Sequence, residues 1–221
     1  MNNIIAKIRK TDGAEYIAAV LRKYRVIAVI YAVLCAAEFI VTANQLLSWS
    51  NWRPIHWLRP ALMLVLPVGI VLAIFLKDRI KFIRYALIAG FAVHLFDIIY
   101  VLCTSITTVV NNFALITLSD KIWLYIGYIG PILLIAVAVL FLLILVFNIQ
   151  SKKIGVLLCS FIIIYFLMYT PAIIYRSIND IYLNVHAIYQ FINAVTGLSW
   201  FAVQIFIAWH LIKPMKLENV E

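Results

Sequence analysis

Long apolar runs alternate along the chain with short polar or charged connections. The runs cover residues 24–47, 60–76, 82–104, 122–148, 154–176 and 187–212. A helix rising about 1.5 Å per residue needs about 20 apolar residues to cross a hydrocarbon core of about 30 Å. Each run therefore predicts one transmembrane helix. The second is the shortest, and its helix is expected to begin in the interface near Ile55. The fourth is long enough to tilt, with Pro131 as the expected kink.

Ahead of the first run, Asp12 and Glu15 have the spacing of a capping box. The apolar stretch from Tyr16 to Leu21 then meets Arg22, Lys23 and Arg25. This pattern predicts a short N-terminal amphipathic helix lying on the anionic inner leaflet. Its other use would be to dock a cytoplasmic partner. Residues 1–10 carry charge but no short apolar run ending in small residues, so no removable signal peptide is expected and the first span serves as the targeting signal.

Composition turns the pattern into a fold class. The chain is 66% hydrophobic and 12% charged, with mean hydropathy +1.06 over 221 residues. Soluble domains are about 45–50% apolar and about 25% charged. The surplus apolar surface must face lipid, where helices that are hydrophobic all round are stable. The expectation is an all-α, polytopic membrane bundle of six helices in a single domain spanning residues 1–221, with the lipid bilayer as its first partner. Six spans use nearly the whole chain and leave no room for an extramembrane enzyme module.

The net charge of +9 does not point to nucleic acid, because the basic residues flank the spans instead of clustering on a polar surface. Counted by side, fourteen Lys and Arg fall with the termini, including the sets Lys7 to Arg25 and Lys77 to Arg84, then Lys152, Lys153, Lys213 and Lys216. Only Arg53, Arg59, Lys121 and Arg176 fall on the other side. The positive-inside rule then places both termini in the cytoplasm, in a plasma (inner) membrane.

The connections on the other side carry their own signals. Trp49, Trp52 and Trp57 lie in the first, as in an interfacial aromatic belt, although its two Arg-Pro pairs and His56 would also suit a lid or an anion-binding rim. The second, 105–121, has room for a re-entrant or interfacial helix. The third, Ser177 to Asp180, reads as a short polar loop.

Two carboxylates lie well inside spans, Glu38 and Asp97. Each costs about 2.5–3.5 kcal/mol at a helix centre, which makes an intramembrane acid a candidate site by default. Both sit roughly 21–22 Å from the cytoplasmic ends of their helices at about 1.5 Å per residue, and so share a layer. His94 precedes Asp97 by three residues and shares its helix face, permitting a hydrogen-bonded pair. Arg59 or Arg53 reaching down to neutralise a carboxylate is the structural alternative.

Other polar groups collect in that layer: Tyr125 and Tyr128, then Tyr165, Tyr169 and Thr170, then Tyr189, Gln190, Asn193, Thr196 and Ser199. The inner halves, such as Val68 to Leu76 and Ile154 to Leu158, are close to purely aliphatic. A polar outer half above a dry inner half predicts a cavity open to the outer face and sealed toward the cytoplasm. A continuous ion pore would need polar lining throughout. Glu38, Arg59, His94, Asp97, Tyr169 and Asn193 are the candidate ligand-binding residues.

No cofactor is expected. Cys35, Cys103 and Cys159 sit singly in three spans, without a C-x-x-C pair, and read as small buried hydrophobes. There is no P-loop, G-x-S-x-G or zinc-ligating His pair. The leading functional expectation is a transport-associated protein that binds a small solute or lipid. The alternative is a non-catalytic accessory, assembly or immunity protein meeting a membrane or cytoplasmic protein. An intramembrane enzyme using His94 and Asp97 ranks last, because no nucleophile or metal set accompanies them. Ala28, Ala32 and Ala36 form a small-residue stripe in the first span. Six helices, cytoplasmic ends, such a stripe and outward capture are similar to the layout of energy-coupling-factor substrate-binding subunits; the likeness is architectural and rests on no distinctive motif. Seven glycines are few for a transporter with broken helices.

Overall fold

The computed structural model describes residues 12–47, 54–112, 118–182 and 187–213. Over these the chain is helical, without strands: α1 (Gly13–Lys23), α2 (Arg25–Leu47), α3 (Pro54–Met63), α4 (Val65–Phe75), α5 (Ile80–Asn112), α6 (Leu118–Phe147), α7 (Lys152–Tyr182) and α8 (Ala187–Ile212). Six stretches are long and apolar enough to cross a membrane: Arg25–Asn44, Leu58–Phe75, Ile80–Thr104, Tyr128–Phe147, Lys152–Thr170 and Ala194–Ile212. The protein is an integral membrane protein of six spans.

Five of the spans match or outrun their apolar runs to within a residue. The backbone of a helix satisfies its own hydrogen bonds, so nothing forces it to end where the hydrocarbon does. Thus α5 continues to Asn112 and absorbs the first half of the connection that had room for a re-entrant or interfacial helix. Likewise α7 runs on to Tyr182, so Ser177 to Asp180 are helical and not a loop. The helix α6 continues unbroken through Pro131 and ends at Asn148, whose φ of 56° stops it in the left-handed conformation that asparagine tolerates. The second span starts beside Ile55 as expected, but it does not stay one helix. It begins at Pro54 and breaks into α3 and α4 at Leu64. Pro67 has no N–H to give to the Met63 carbonyl, and the Leu64 N–H turns back to Ala61 at 3.2 Å, a tighter three-residue turn. The expected aromatic belt of Trp49, Trp52 and Trp57, with Arg53 and His56, lies outside the described side chains.

The six spans close into a ring in chain order. Each packs on its sequence neighbours, and α8 returns to close against α2. Close approach is set by small residues at the crossings. A Cβ on Gly90 of α5 would lie 2.7 Å from the Leu66 Cα of α4, and one on Gly155 of α7 would lie 2.7 Å from the Leu211 Cβ of α8. The alanine stripe is used over part of its length. Ala28 is fully buried, whereas Ala36 is exposed, because a spacing of four residues drifts around a helix of 3.6 residues per turn.

The amphipathic helix α1 forms as expected, but its seat is different. It does not lie on a leaflet: it packs against α4, α5, α6 and α8, filling one end of the ring. Gly13, Ala14, Ile17, Ala18, Ala19, Val20 and Leu21 are all buried, and Glu15 and Lys23 are exposed. Its small residues admit it. A Cβ on Gly13 would lie 2.1 Å from the Ile144 carbonyl oxygen of α6. Asp12 caps the helix by accepting from the Ala14 N–H at 2.9 Å and pairs with Arg84 of α5. At the other end of α1, Arg22 donates to the Ala73 and Leu76 carbonyls at 3.1 and 3.4 Å, satisfying groups that the end of α4 leaves open. Tyr16 donates to the Ile207 carbonyl of α8 at 2.6 Å, and burial raises its phenol above the ordinary value, so it stays protonated. The aliphatic core forms around this plug, with Ile70, Ile83, Leu87, Phe141, Ile144 and Leu158 almost wholly enclosed.

Candidate functional site

Above the plug the ring does not fill. A cavity of about 420 Å³ lies in the half of the bundle away from α1, and all six spans line it. That volume falls within the range of small-molecule sites, about 300–1,000 Å³. The division of the sequence into a dry half and a polar half corresponds to the division between plug and cavity.

The floor is aromatic. Tyr31 of α2 stacks on Trp200 of α8 with centroids 4.8 Å apart, and Phe91 of α5 stacks on Phe141 of α6 at 4.7 Å. Further up, Phe166 of α7 stacks on Phe201 of α8 at 4.3 Å, and Tyr165 on Tyr169 at 5.0 Å. Such stacks are rigid and leave flat walls.

The structure brings Glu38, Arg59, His94, Asp97 and Tyr169 to this one cavity. Asn193 lies on α8, but its side chain is outside the described residues. Asp97 is engaged by Arg59 through both oxygens, with Nε to Oδ1 at 2.5 Å and the second contact at 3.3 Å. The guanidinium also stands 5.7 Å from the Tyr100 ring centroid, one turn along α5 from Asp97. Two-point pairing fixes orientation as well as charge. The hydrogen-bonded His94–Asp97 pair is not formed. Asp97 turns to the stronger charge-assisted partner, while His94 sits edge-on to Trp200 with centroids 6.1 Å apart.

Glu38 is different. It shares a face of α2 with Tyr31 and Cys35, seven and three residues before it. Among the described residues no hydrogen bond or ion pair reaches its carboxylate. Nor is it alone in this. His94 Nε2 and Trp200 Nε1 are buried without a hydrogen-bond partner. Gln204, only 3% exposed, lines the cavity, and its amide makes no hydrogen bond among the described residues. Buried polar groups in folded proteins are nearly always satisfied, so the two orphaned ring nitrogens in the wall of one cavity require explanation. Thr196, by contrast, closes its hydroxyl onto the Ile192 carbonyl of its own helix at 2.8 Å.

Trp200 and Gln204 were not among the residues singled out in the sequence. Their signal was available as a polar face of the last span, where Thr196, Trp200 and Gln204 recur every four residues. Among the described residues no three His, Cys, Asp or Glu side chains gather as a metal site would need. The chain matches no family model, no curated protein and no solved structure.

Proposed function

We propose that the protein binds a small solute or lipid in this cavity from the outer face of a plasma membrane, as a transport-associated component, with both termini in the cytoplasm. One observation carries the reading: Glu38 and Gln204, which make no hydrogen bond among the described residues, line a single cavity, and the unpartnered His94 Nε2 and Trp200 Nε1 are buried in its wall. A ligand that satisfies them recovers what their desolvation cost. The orientation is supported by charge. Arg22, Lys23, Arg25, Lys77, Arg79, Lys81, Arg84, Lys152, Lys153 and Lys213 flank the ends of the spans on the α1 side, and basic residues favour the cytoplasmic side. The plug then seals the cytoplasmic end, and the cavity faces outward.

An interaction protein working through its N-terminal helix is less well supported, because the apolar face of α1 is spent inside the bundle. The test is thermal stabilisation of the purified chain in mild detergent against a broad panel of solutes and lipids. The expected result is that at least one chemical class raises the unfolding temperature, and that Glu38→Gln and Asp97→Asn, each still inserted and folded, lose that response. Variants that respond like wild type across the panel would overturn the reading.

A further inference from the structure

The electrostatics of the cavity select among ligands. Arg59 and Asp97 neutralise each other across two contacts, so neither lends net charge to the space. Among the described residues the other acid, Glu38, has no cation within reach, and no Lys or Arg besides Arg59 lines the cavity. Among the described residues the cavity therefore holds one carboxylate without a cationic partner, and Tyr31, Trp200, Phe166 and Phe201 line the same space in stacked pairs. An ionised carboxylate out of water is expensive unless it is paired. Aromatic faces carry negative potential and attract cations, more strongly where water is excluded.

We propose that the ligand is an organic monocation with an apolar body, its ammonium group held between Glu38 and the Tyr31–Trp200 stack. This rests on the small-ligand reading above and narrows it. The apolar body lies against Leu66, Val93 and the Phe166–Phe201 wall, which are already in van der Waals surroundings. The Gln204 carbonyl offers a neutral acceptor at depth for an N–H of a protonated amine. Anions are disfavoured on the same grounds: they would meet the Glu38 carboxylate and would have to take Arg59 from Asp97.

Three probes of similar size separate charge from shape: benzyltrimethylammonium (cation), N,N-dimethylbenzamide (neutral) and phenylmethanesulfonate (anion). Each is titrated into the full chain in detergent, followed by tryptophan fluorescence and thermal stabilisation. The expected result is saturable binding of the cation, with the neutral and anionic probes at least ~tenfold weaker. Glu38→Gln should remove that preference and weaken the cation at least ~tenfold, while Glu38→Asp, which keeps the charge, retains part of it. Unchanged elution profile and unfolding temperature without ligand would show that both variants fold. Equal binding of cation and amide, indifferent to Glu38→Gln, would overturn the charge assignment and leave the small-ligand reading standing. A preference for the sulfonate would overturn it in favour of Arg59. Failure of all three to bind would also overturn it, and the broad panel would then decide the small-ligand reading on its own.

Discussion

Glu38 and Asp97 are chemically similar acids at similar depth, yet they hold different positions in the energetics of the fold. Asp97 is 17% exposed and tied to Arg59, so replacing it with asparagine strands a guanidinium. Glu38 gives up no partner when neutralised, so its replacement should be tolerated or mildly stabilising. We predict a non-additive double-mutant cycle for Arg59→Gln and Asp97→Asn, with coupling of about 0.5–1 kcal/mol, since Arg59 is half exposed. Glu38→Gln combined with Arg59→Gln should be additive. Unfolding of wild type and the five variants (three single, two double) in a fixed detergent measures both, and additivity of the first pair would remove the ion pair as a contributor. A different residue-scale test falls on Gly13, where the nearest obstacle to a side chain is the backbone of α6 and not a flexible side chain. Gly13→Val should destabilise by about 1–3 kcal/mol, read as a lower unfolding temperature. Wild-type stability would mean that α1 is not seated as described.

At the scale of elements, α1 is the helix whose role could not be read from pattern. Tyr16 to Leu21 are apolar next to Arg22 and Lys23, and the same face would suit a leaflet or a bundle end. What decides is the steric allowance at Gly13, Ala14 and Ala18 together with partners distant in sequence, namely Arg84, Ala73 and Ile207. None of those contacts has a local signature. The spans were legible because lipid imposes a single requirement on all of them, continuous apolarity. Their ends were less so: Ser177 to Asp180 look like a turn, but helical hydrogen bonding persists through polar residues once it is nucleated. The acids and His94 were legible as costly residues, while Trp200 and Gln204 had only their four-residue spacing with Thr196 as a signal. The plug makes its own prediction. Tyr16→Phe removes the hydrogen bond to Ile207 and should cost about 0.5–1.5 kcal/mol. Arg22→Leu should cost more than Tyr16→Phe, because it uncaps two carbonyls of α4 at once. Unfolding temperatures that rank the other way would place the holding force of α1 at its α8 contact.

For the whole molecule, the ring in chain order has a consequence for direction. An even number of spans returns the chain to the end where it started, so α1 and the last turn of α8 meet: Tyr24 and His210 lie 3.0 Å apart, and Tyr24 stacks on Phe206 at 4.0 Å. The plug, the last turn of α8 and the basic flanks of the described spans therefore share one end of the bundle, and the cavity belongs to the opposite half. If the proposed orientation holds, residues near the plug face the cytoplasm and those beyond the cavity face outward. With Cys35, Cys103 and Cys159 first replaced by serine or alanine, single cysteines placed at Asp78 and Gln150 report on the plug side, and one at Thr107 reports on the cavity side. In intact cells a membrane-impermeant maleimide should label Thr107→Cys and spare Asp78→Cys and Gln150→Cys, which should react only after permeabilisation. The reverse pattern would turn the cavity toward the cytoplasm and replace capture from outside with binding from within. Labelling at both ends in intact cells would mean that the chain inserts both ways, and the charge bias would then not set its direction.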